Sequence, residues 1–398
     1  MENKKNNLYR AVMLIIITAM ITFMGTSIGM YNYFINSDNG KIETLVKYVE
    51  TSDSSKTVTE KLEVVGKLLE KYYIGELDNE AMIEGAIKGY VQGLGDEYTE
   101  YLMKSEYEDL MINVIGDYVG IGIYMTQDIN GNVIVIMPME GSPALEADLR
   151  AGDIITKING EECTGMEIEL VSTKIKGEAG TTVELEILRE NEVLTKTIER
   201  RKVEIQDSSS EILDGNIGYI ELITFDEECT KNVEKYLSEF ESKGVKSVII
   251  DLRDNTGGMV EEAINFAELF IPRGNVIMRS YDKENNEIIV ESNNTKTLEM
   301  EVVVLVNEYS ASATEIVAAT LKDNKRATIV GTKTYGKGVM QEIVPLFDGA
   351  LKVTIQEFKT PNGEKINLQG IEPDEIIEDN PETEVDEQLQ KAIELLKK

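Results

Sequence analysis

The sequence contains no histidine and no tryptophan, and it has only two cysteines among its 398 residues. Without histidine, the chain cannot form a Ser-His-Asp triad, a Cys-His pair or a histidine-ligated metal site. A side-chain nucleophile in this protein would therefore need a lysine, a carboxylate or an amine as its base. Cys163 and Cys229 are too few for a disulfide framework, and the sequence leaves open whether they pair.

Basic residues are also scarce, because 40 Lys and Arg stand against 73 Asp and Glu and leave a formal net charge of −33. Such a chain repels phosphate backbones, so we expect no nucleic-acid partner. The 42% hydrophobic and 28% charged content is that of a folded protein. The length predicts two or three domains.

Residues 11–30 form one uncharged apolar run, about as long as a helix that crosses a bilayer. Three basic residues precede it: Lys4, Lys5 and Arg10. This asymmetry predicts a cytoplasmic tail (1–10), a transmembrane anchor (11–31) and an extracytoplasmic remainder, hence a single-pass cell-membrane protein. A protein secreted after signal cleavage is the alternative, but the run is longer than a usual signal h-region and lacks a clear A-x-A site.

The next part of the chain is interpreted as a polar connector (32–57) followed by a helical N-terminal region (58–112). In that region apolar residues recur three and four apart, which predicts amphipathic helices over Val58–Tyr73 and Glu80–Gln92. We find no pattern there that carries chemistry, so we expect a spacer.

Residues 113–203 change to the alternating pattern of strands. Ser142 and Pro143 predict the N-cap and first position of a short helix, and Asn159-Gly160 predicts a hairpin turn. With its strings GSPA and GDIITKING, this segment resembles a PDZ domain.

The stretch Val119-Gly120-Ile121-Gly122 matches the PDZ loop whose backbone N–H groups bind a peptide's C-terminal carboxylate. Glycines suit such a loop because they let backbone amides converge on an anion. Asp148 stands where the PDZ family usually has glycine. We expect the fold to tolerate it, because aspartate adopts a left-handed backbone more readily than most residues.

Strands and helices alternate over residues 204–380, which predicts βαβ units on a largely parallel sheet and hence an α/β domain. The last segment (381–398) carries an apolar stripe at helical spacing. It predicts a C-terminal helix from Val385 to Leu396.

Ser312 opens an Ala-rich helix that follows a buried strand. Ser312-Ala313-Thr314-Glu315 matches the capping box S-x-x-E, so the hydroxyl has an ordinary structural role available. The same position would let the positive end of a helix stabilise the negative charge that develops when a serine acts as a nucleophile. From these residues alone, both interpretations stand.

Lys337 lies on a glycine-rich loop, Gly331–Gly338, that begins like the phosphate-binding pattern G-x-x-x-x-G-K. The next residue is not Ser or Thr, and a strand follows instead of a helix, so nucleotide binding is disfavoured. A lysine base must be neutral, whereas an ordinary pKa of about 10.4 keeps it charged at pH 7. Uncharged sequence neighbours permit the necessary burial, and Gln341 offers an amide to hold the amine. An ordinary hairpin-loop lysine is the alternative.

In a third segment, Asp251–Gly258, a predicted strand ends at a turn that contains two consecutive glycines and precedes a predicted helix. Such a turn exposes backbone N–H groups that can stabilise an oxyanion. A plain βα turn uses glycines in the same way, so this pattern decides nothing by itself.

Taken together, these segments resemble the carboxyl-terminal processing proteases, Ser-Lys peptidases that include the tail-specific proteases. The resemblance runs from about Glu60 to the C-terminus through GLGDEYTEYL, DLRDNTGG, VNEYSASATEIVAATLKD, GTKTYGKGVMQ, FKTPNGEKI and GIEPDEI. It implies a multidomain α/β fold: after the transmembrane helix and the helical region, a β-rich PDZ domain precedes an α/β serine protease core of the ClpP/crotonase-like type.

The resemblance also implies roles for individual residues. Ser312 would be the nucleophile, Lys337 the general base and Gln341 the residue that orients the lysine. The backbone N–H groups of Gly258 and Ala313 would form the oxyanion hole. No cofactor and no metal are expected. The departures from the family pattern are mild and remove no catalytic position: Thr314, Asp254, Thr256 and Asp148.

The implied activity is that of an endopeptidase that recognises the C-terminal tail of a protein substrate through its PDZ domain and cleaves through an acyl-enzyme. Its partners would be proteins or peptides with accessible C-termini, and the membrane through residues 11–31; a homo-oligomer is left open. Gating of activity by the PDZ domain is also implied. The alternative from another class is a catalytically silent PDZ-bearing membrane scaffold, against which the intact Ser312, Lys337 and Gln341 argue.

Overall fold

The computed structural model describes residues 57–115, 117–204, 206–378 and 385–397. The predicted cytoplasmic tail and transmembrane anchor lie outside these residues. Among the helices that the structure describes, none combines the length and the apolar character that crossing a bilayer requires. The chain divides into two units, Met1–Gly85 and Ala86–Lys398.

Helix α1 (Val58–Tyr72) and helix α2 (Asn79–Gln92) confirm the two helices predicted in this region. A capping box fixes the start of α1, because the Thr57 hydroxyl accepts from the Glu60 amide and the Glu60 carboxylate accepts from the Thr57 amide. Strand β1 (Glu100–Leu102) and helix α3 (Lys104–Ile115) follow.

A small β-rich domain comes next, as predicted. Its elements are β2 (Asp117–Gly120), β3 (Ile123–Gln127), β4 (Val133–Pro138), α4 (Pro143–Glu146), β5 (Ile154–Ile158), β6 (Glu161–Glu162), α5 (Ile168–Ile175), β7 (Thr182–Arg189), β8 (Glu192–Glu199) and β9 (Arg201–Glu204). An antiparallel sheet runs in the order β3-β4-β5-β7-β8, with β6 paired to β5. The pair β2–β9 stands apart from this sheet and joins the two ends of the domain.

Local signals in this domain behave as predicted. Ser142 caps α4 and accepts from the Leu145 amide at 3.2 Å. Asn159 and Gly160 form the turn between β5 and β6, both with positive φ. Asp148 has a φ of 58°, the left-handed conformation expected of it. Helix α5 is an element that the sequence reading missed.

The α/β domain is built on a six-stranded sheet in the order β10-β11-β12-β15-β16-β19. Its elements are β10 (Ser208–Leu213), β11 (Ile217–Leu222), α6 (Cys229–Ser242), β12 (Ser247–Asp251), α7 (Val260–Glu268), β13 (Val276–Asp282), β14 (Glu287–Glu291), β15 (Glu301–Val306), α8 (Ala313–Asp323), β16 (Ala327–Gly331), β17 (Val339–Leu346), β18 (Gly349–Lys359) and β19 (Glu375–Ile376). The sheet is parallel except for β10, which confirms the βαβ prediction. All five residues of β12 are buried, as in a strand covered on both faces.

A second, antiparallel sheet was not predicted. It contains β1, β18, β13 and β14, with β17 paired to β18. Strand β1 joins it through pairs such as Glu100↔Lys352, so the segment before the small β-rich domain is anchored on the α/β domain.

Helix α9 (Glu387–Leu396) packs against strands β12, β15 and β16 of the parallel sheet. It begins after the N-cap Asp386, two residues later than predicted. Its Ala392 packs in a cluster with Ile249 and Val303. Cys163 and Cys229 are both buried and unpaired, which answers the question that the sequence left open.

Candidate active site

The candidate catalytic residues lie beyond the carboxyl ends of two neighbouring parallel strands. Strand β12 leads into the turn that contains Gly257 and Gly258, and β15 leads into the loop that ends at Ser312. In open α/β sheets this edge is where ligands bind.

Ser312 is the residue before helix α8, and its backbone is strained. Its φ is 58° and its ψ is −118°, a conformation that costs a residue with a side chain about 1–3 kcal/mol. The side chain is 8% exposed. The Glu315 carboxylate accepts a hydrogen bond from the Ser312 amide at 2.9 Å, which is the interaction that the capping-box pattern predicts for Glu315.

Asn255 ties the glycine turn to the serine loop. Its carbonyl oxygen accepts from the Ala311 amide at 3.0 Å and from the Thr314 hydroxyl at 3.0 Å. Its side-chain oxygen accepts from the Gly257 amide at 2.9 Å, and its amide group donates to the Leu222 carbonyl oxygen at 2.8 Å. Because Asn255 is fully buried, these bonds hold the two loops in one arrangement.

The predicted oxyanion-hole residues flank Ser312. An ideal Cβ on Gly257 would lie 3.0 Å from Ser312 Cβ and 3.1 Å from the Ala313 nitrogen, so the turn is in contact with the start of α8. The next residue, Gly258, has a φ of 141° that favours glycine. Within the part of the chain that the structure describes, the amides of Gly258 and Ala313 donate to no protein acceptor. Both donors are therefore available to a bound group.

The Glu315 carboxylate connects the serine to the lysine loop. One oxygen accepts from the amides of Ser312 (2.9 Å) and Lys337 (2.8 Å). The other accepts from the Thr334 hydroxyl (2.6 Å) and the Gly336 amide (2.8 Å). Burial raises the pKa of Glu315, whereas these hydrogen bonds act to lower it. One buried carboxylate thus fixes the backbones of the candidate nucleophile and base relative to each other.

Burial lowers the pKa of the Lys337 amine, and the nearby charge of Lys352 acts in the same direction. Glu100 and Glu315 oppose this shift. Among the described residues, the amine has no hydrogen-bond or ion-pair partner. It lies 4.9 Å from the centre of the Tyr98 ring. Burial and Lys352 thus shift the pKa of the amine in the direction that a base requires.

Gln341 lies on β17 just after an irregularity in the pairing between Met340 and Gln341. Its side-chain nitrogen is buried and has no hydrogen-bond partner among the described residues. A buried donor without a partner is unfavourable. No hydrogen bond joins Gln341 to Lys337, or the lysine amine to the Ser312 hydroxyl, in the described part of this resting structure.

The glycine-rich loop before β17 is shaped by close backbone contacts. An ideal Cβ on Gly338 would lie 2.2 Å from the Asn367 nitrogen, so no side chain fits there. The Leu368 amide donates to the Gly336 carbonyl oxygen at 2.7 Å. These contacts explain the glycines that resembled a phosphate-binding loop.

Two residues at the site were missed by the sequence reading. Tyr98 belongs to the region interpreted as a spacer, yet its ring covers the Lys337 amine. Its position follows from the pairing of the neighbouring β1 with β18. Glu315 was read only as part of a capping box. Its complete burial, which is uncommon for a glutamate, is visible only in the structure.

The predicted carboxylate-binding loop is partly strand. Val119 and Gly120 belong to β2 and pair with Lys202 and Arg201 of β9. Ile121 is buried, and Gly122 has a φ of 76° that turns the chain into β3.

Comparisons with known proteins agree with this architecture. Family models match at residues 216–377 (peptidase family S41), 134–189 (PDZ domain) and 15–106 (activating protease CtpB N-terminal domain). A probable CtpA-like serine protease of Staphylococcus aureus (strain COL) is 35% identical over 92% of this chain and 71% of its own length. The carboxy-terminal processing protease CtpA of Bacillus subtilis (strain 168) is 32% identical over 82% of this chain and 70% of its own length.

Among solved structures, a photosystem II D1 C-terminal processing protease is 30% identical, with a TM-score of 0.49, and the match covers 83% of this chain and 90% of that one. The chain spans 64% to 71% of the length of the first curated relatives. The matches to an S41 peptidase domain and a PDZ domain place this chain in the class of multidomain serine proteases. More narrowly, the chain belongs to the carboxy-terminal processing protease family.

Proposed function

We propose that this protein is a membrane-anchored extracytoplasmic serine endopeptidase that binds the C-terminal tails of protein substrates at its PDZ domain. Neutral Lys337 takes the proton of Ser312, whose Oγ attacks the scissile carbonyl carbon. The oxyanion is stabilised by the amides of Gly258 and Ala313. Lys337 gives this proton to the leaving amine as the peptide bond breaks and the acyl-enzyme forms. It then takes a proton from the attacking water and returns it to Ser312 Oγ as the ester bond breaks and the new carboxyl end is released.

One observation carries the proposal. The Glu315 carboxylate accepts from the amides of Ser312 and Lys337 at 2.9 and 2.8 Å, and among the described residues the lysine amine makes no hydrogen bond or ion pair. A structural lysine would be expected to pair its charge, whereas a base must be able to lose its proton. Gln341 is assigned the role of orienting the neutral Lys337 amine, and its amide nitrogen, buried without a partner among the described residues, has a donor free for that contact.

The test is cleavage of an unfolded protein by the native chain and by Ser312→Ala and Lys337→Ala. Each variant should lose about three orders of magnitude or more in kcat/KM, because the dyad acts as a unit. Lys333→Ala is the matched control, since Lys333 lies on the same loop, is exposed and, within the described residues, makes one long ion pair, to Glu372. Full proteolysis by both dyad variants would overturn the assignment. Tail binding without cleavage by the native chain would favour the scaffold alternative.

The membrane part of the proposal rests on the apolar run at residues 11–30 and the basic residues before it. In cells, the full chain should stay with the membrane fraction after alkaline extraction, and a protease added outside the membrane should digest its catalytic part. Release by alkaline extraction would contradict the anchor, and recovery of a shortened chain from the medium would favour signal cleavage.

A further inference from the structure

Helix α9 begins at the edge of the parallel sheet where the candidate active site lies. Its N-cap residue, Asp386, accepts from the Leu389 amide at 2.8 Å. The same carboxylate accepts from the guanidinium of Arg253, at 3.0 Å from Nη1 and at 2.8 Å from Nη2. Arg253 lies on the glycine turn, residues 252–258, which directly follows β12. The start of α9 is therefore bonded to the turn that carries Gly258.

The guanidinium of Arg253 uses all five of its N–H groups in this network. Nε and Nη2 donate to the carboxylate of Asp251 at 3.0 and 2.6 Å, and Nη1 also donates to the side-chain oxygen of Gln388 at 3.2 Å. Asp251 is the buried last residue of β12 and accepts from the Tyr219 hydroxyl at 2.7 Å. Paired hydrogen bonds between a guanidinium and a carboxylate fix direction as well as distance. Arg253 is thus held between the end of β12 and the start of α9.

The residues next to Arg253 are bonded to the loop that ends at the candidate nucleophile. The carbonyl oxygen of Leu252 accepts from the Ser310 hydroxyl at 2.7 Å. The carbonyl oxygen of Asn255 accepts from the Ala311 amide at 3.0 Å. Because Leu252 and Asn255 lie within two residues of Arg253, a shift of Arg253 would move the backbone on which the serine loop rests.

The other end of the glycine turn is held by the segment that follows β11. The Phe225 amide donates to the Gly257 carbonyl oxygen at 3.0 Å, and the Met259 amide donates to the Phe225 carbonyl oxygen at 2.7 Å. Gly258 lies between these contacts and Arg253 in the chain. Two anchors, one at Phe225 and one at Arg253, therefore set the position of the Gly258 amide.

We propose that Asp386 is a positioning residue for the cleavage reaction: through Arg253, it holds the glycine turn where the Gly258 amide can stabilise the oxyanion. This inference rests on the proposed function, since it requires a reaction at Ser312 that uses this amide. An oxyanion develops in the transition state, so a misplaced donor lowers kcat and leaves KM nearly unchanged. Removal of one oxyanion donor lowers kcat about 10²–10³-fold. A displaced donor should lower it about tenfold to a hundredfold.

The role of Asp386 as a helix cap can be separated from this one. Serine caps helices about as well as aspartate, but it has a single oxygen and cannot bind a guanidinium through two parallel hydrogen bonds. The side chains of Arg253 and Gln388 line a cavity of about 590 Å³, and the Asp386 side chain is 35% exposed. In Asp386→Ser, formate from solution therefore has a route to the guanidinium.

The experiment measures kcat and KM for cleavage of fluorescein-labelled casein by the full chain. Asp386→Ser should lower kcat about tenfold to a hundredfold and change KM less than about twofold. Sodium formate should restore part of the lost kcat, whereas sodium chloride at the same concentration should not. Lys391→Ala is the matched control, because Lys391 also joins α9 to the sheet, through an ion pair with Glu375 at 3.0 Å. This control should cleave casein like the native chain.

A second variant covers the case in which Asp386→Ser does not fold. Asp386→Asn keeps the cap and the shape of the side chain but turns an NH₂ group or a neutral oxygen towards Arg253. It should also lower kcat with little change in KM. Thermal unfolding of each variant shows that the rates belong to folded protein.

The outcomes separate this inference from the proposed function. If the folded Asp386 variants have the kcat of Lys391→Ala, the inference is overturned and the proposed function stands. A rise in KM alone, or a fall in kcat that formate does not reverse in Asp386→Ser, would limit Asp386 to capping α9 and would overturn it as well. If the native chain cleaves casein no faster than Ser312→Ala, the proposed function fails and the inference fails with it.

Discussion

Replacing Glu315 by glutamine tests how the candidate nucleophile and base are held together. The side chain keeps its shape, but one oxygen that accepts two hydrogen bonds becomes an NH₂ group that accepts none. In one orientation the Ser312 and Lys337 amides lose their acceptor, and in the other the Thr334 hydroxyl and the Gly336 amide lose theirs. Neither rotamer satisfies all four donors.

The cost can be worked from those contacts. A hydrogen bond to a charged group contributes about 1.5–3 kcal/mol, so two of them amount to about 3–6 kcal/mol. Removing a carboxylate whose burial is unfavourable returns part of this free energy. We therefore expect Glu315→Gln to lower the free energy of unfolding by about 2–4 kcal/mol, which corresponds to a fall in Tm of roughly 5–15 °C for a domain of this size.

The value of kcat/KM should fall as well, because a displacement of about 1 Å at a reacting group lowers the rate about a hundredfold. Thermal unfolding followed by circular dichroism, with kcat/KM measured below the transition, gives both values. Glu308→Gln is the control, since Glu308 is exposed and accepts from the Thr332 hydroxyl at 2.9 Å. A Tm and a rate for Glu315→Gln that match those of this control would refute the reasoning.

Two further predictions concern protons. Tyr98→Leu removes the ring that stabilises the charged form of Lys337, so the acid limb of the pH profile of kcat/KM should move to lower pH. Tyr98→Phe keeps an aromatic ring and should leave the acid limb in place. A Tyr98→Leu enzyme that is slower but has an unchanged pH profile would limit the role of Tyr98 to packing. Burial and the adjacent carboxylate of Asp207 raise the pKa of Asp226 from 3.8 to about 7. A folded-state pKa above the unfolded value gives stability that is complete below pH 3.8 and is lost as the pH rises through 7. Denaturant unfolding at pH 5.5 and pH 8 should therefore show the native chain losing about 2 kcal/mol more than Asp226→Asn, and equal losses would contradict the assignment.

The sequence predicted elements whose ends are encoded locally. Thr57 and Ser142 cap their helices through residues three positions away, so a linear pattern contains the whole interaction. The buried strand β12 and the amphipathic α6 are likewise visible in their own residues. The βαβ order then implies the parallel sheet and the edge at which Ser312 lies.

Elements that depend on partners far away in the sequence could not be predicted from local patterns. The second sheet exists because β18 pairs with β1, β13 and β17, and no local signal specifies those partners. Tyr98 reaches Lys337 only through that sheet, so its contact with the amine could not be read from its neighbours.

The pairing of β2 with β9 has a consequence for how such proteins change over time. Chain entry and exit of the PDZ domain lie side by side, from Asp117↔Glu204 to Gly120↔Arg201. A domain whose two ends are adjacent can be inserted into another domain with little change to it, because only two neighbouring chain crossings are needed. The PDZ domain can therefore be exchanged or diversified as a unit while the S41 peptidase domain stays the same, so the two domains are free to evolve at separate rates.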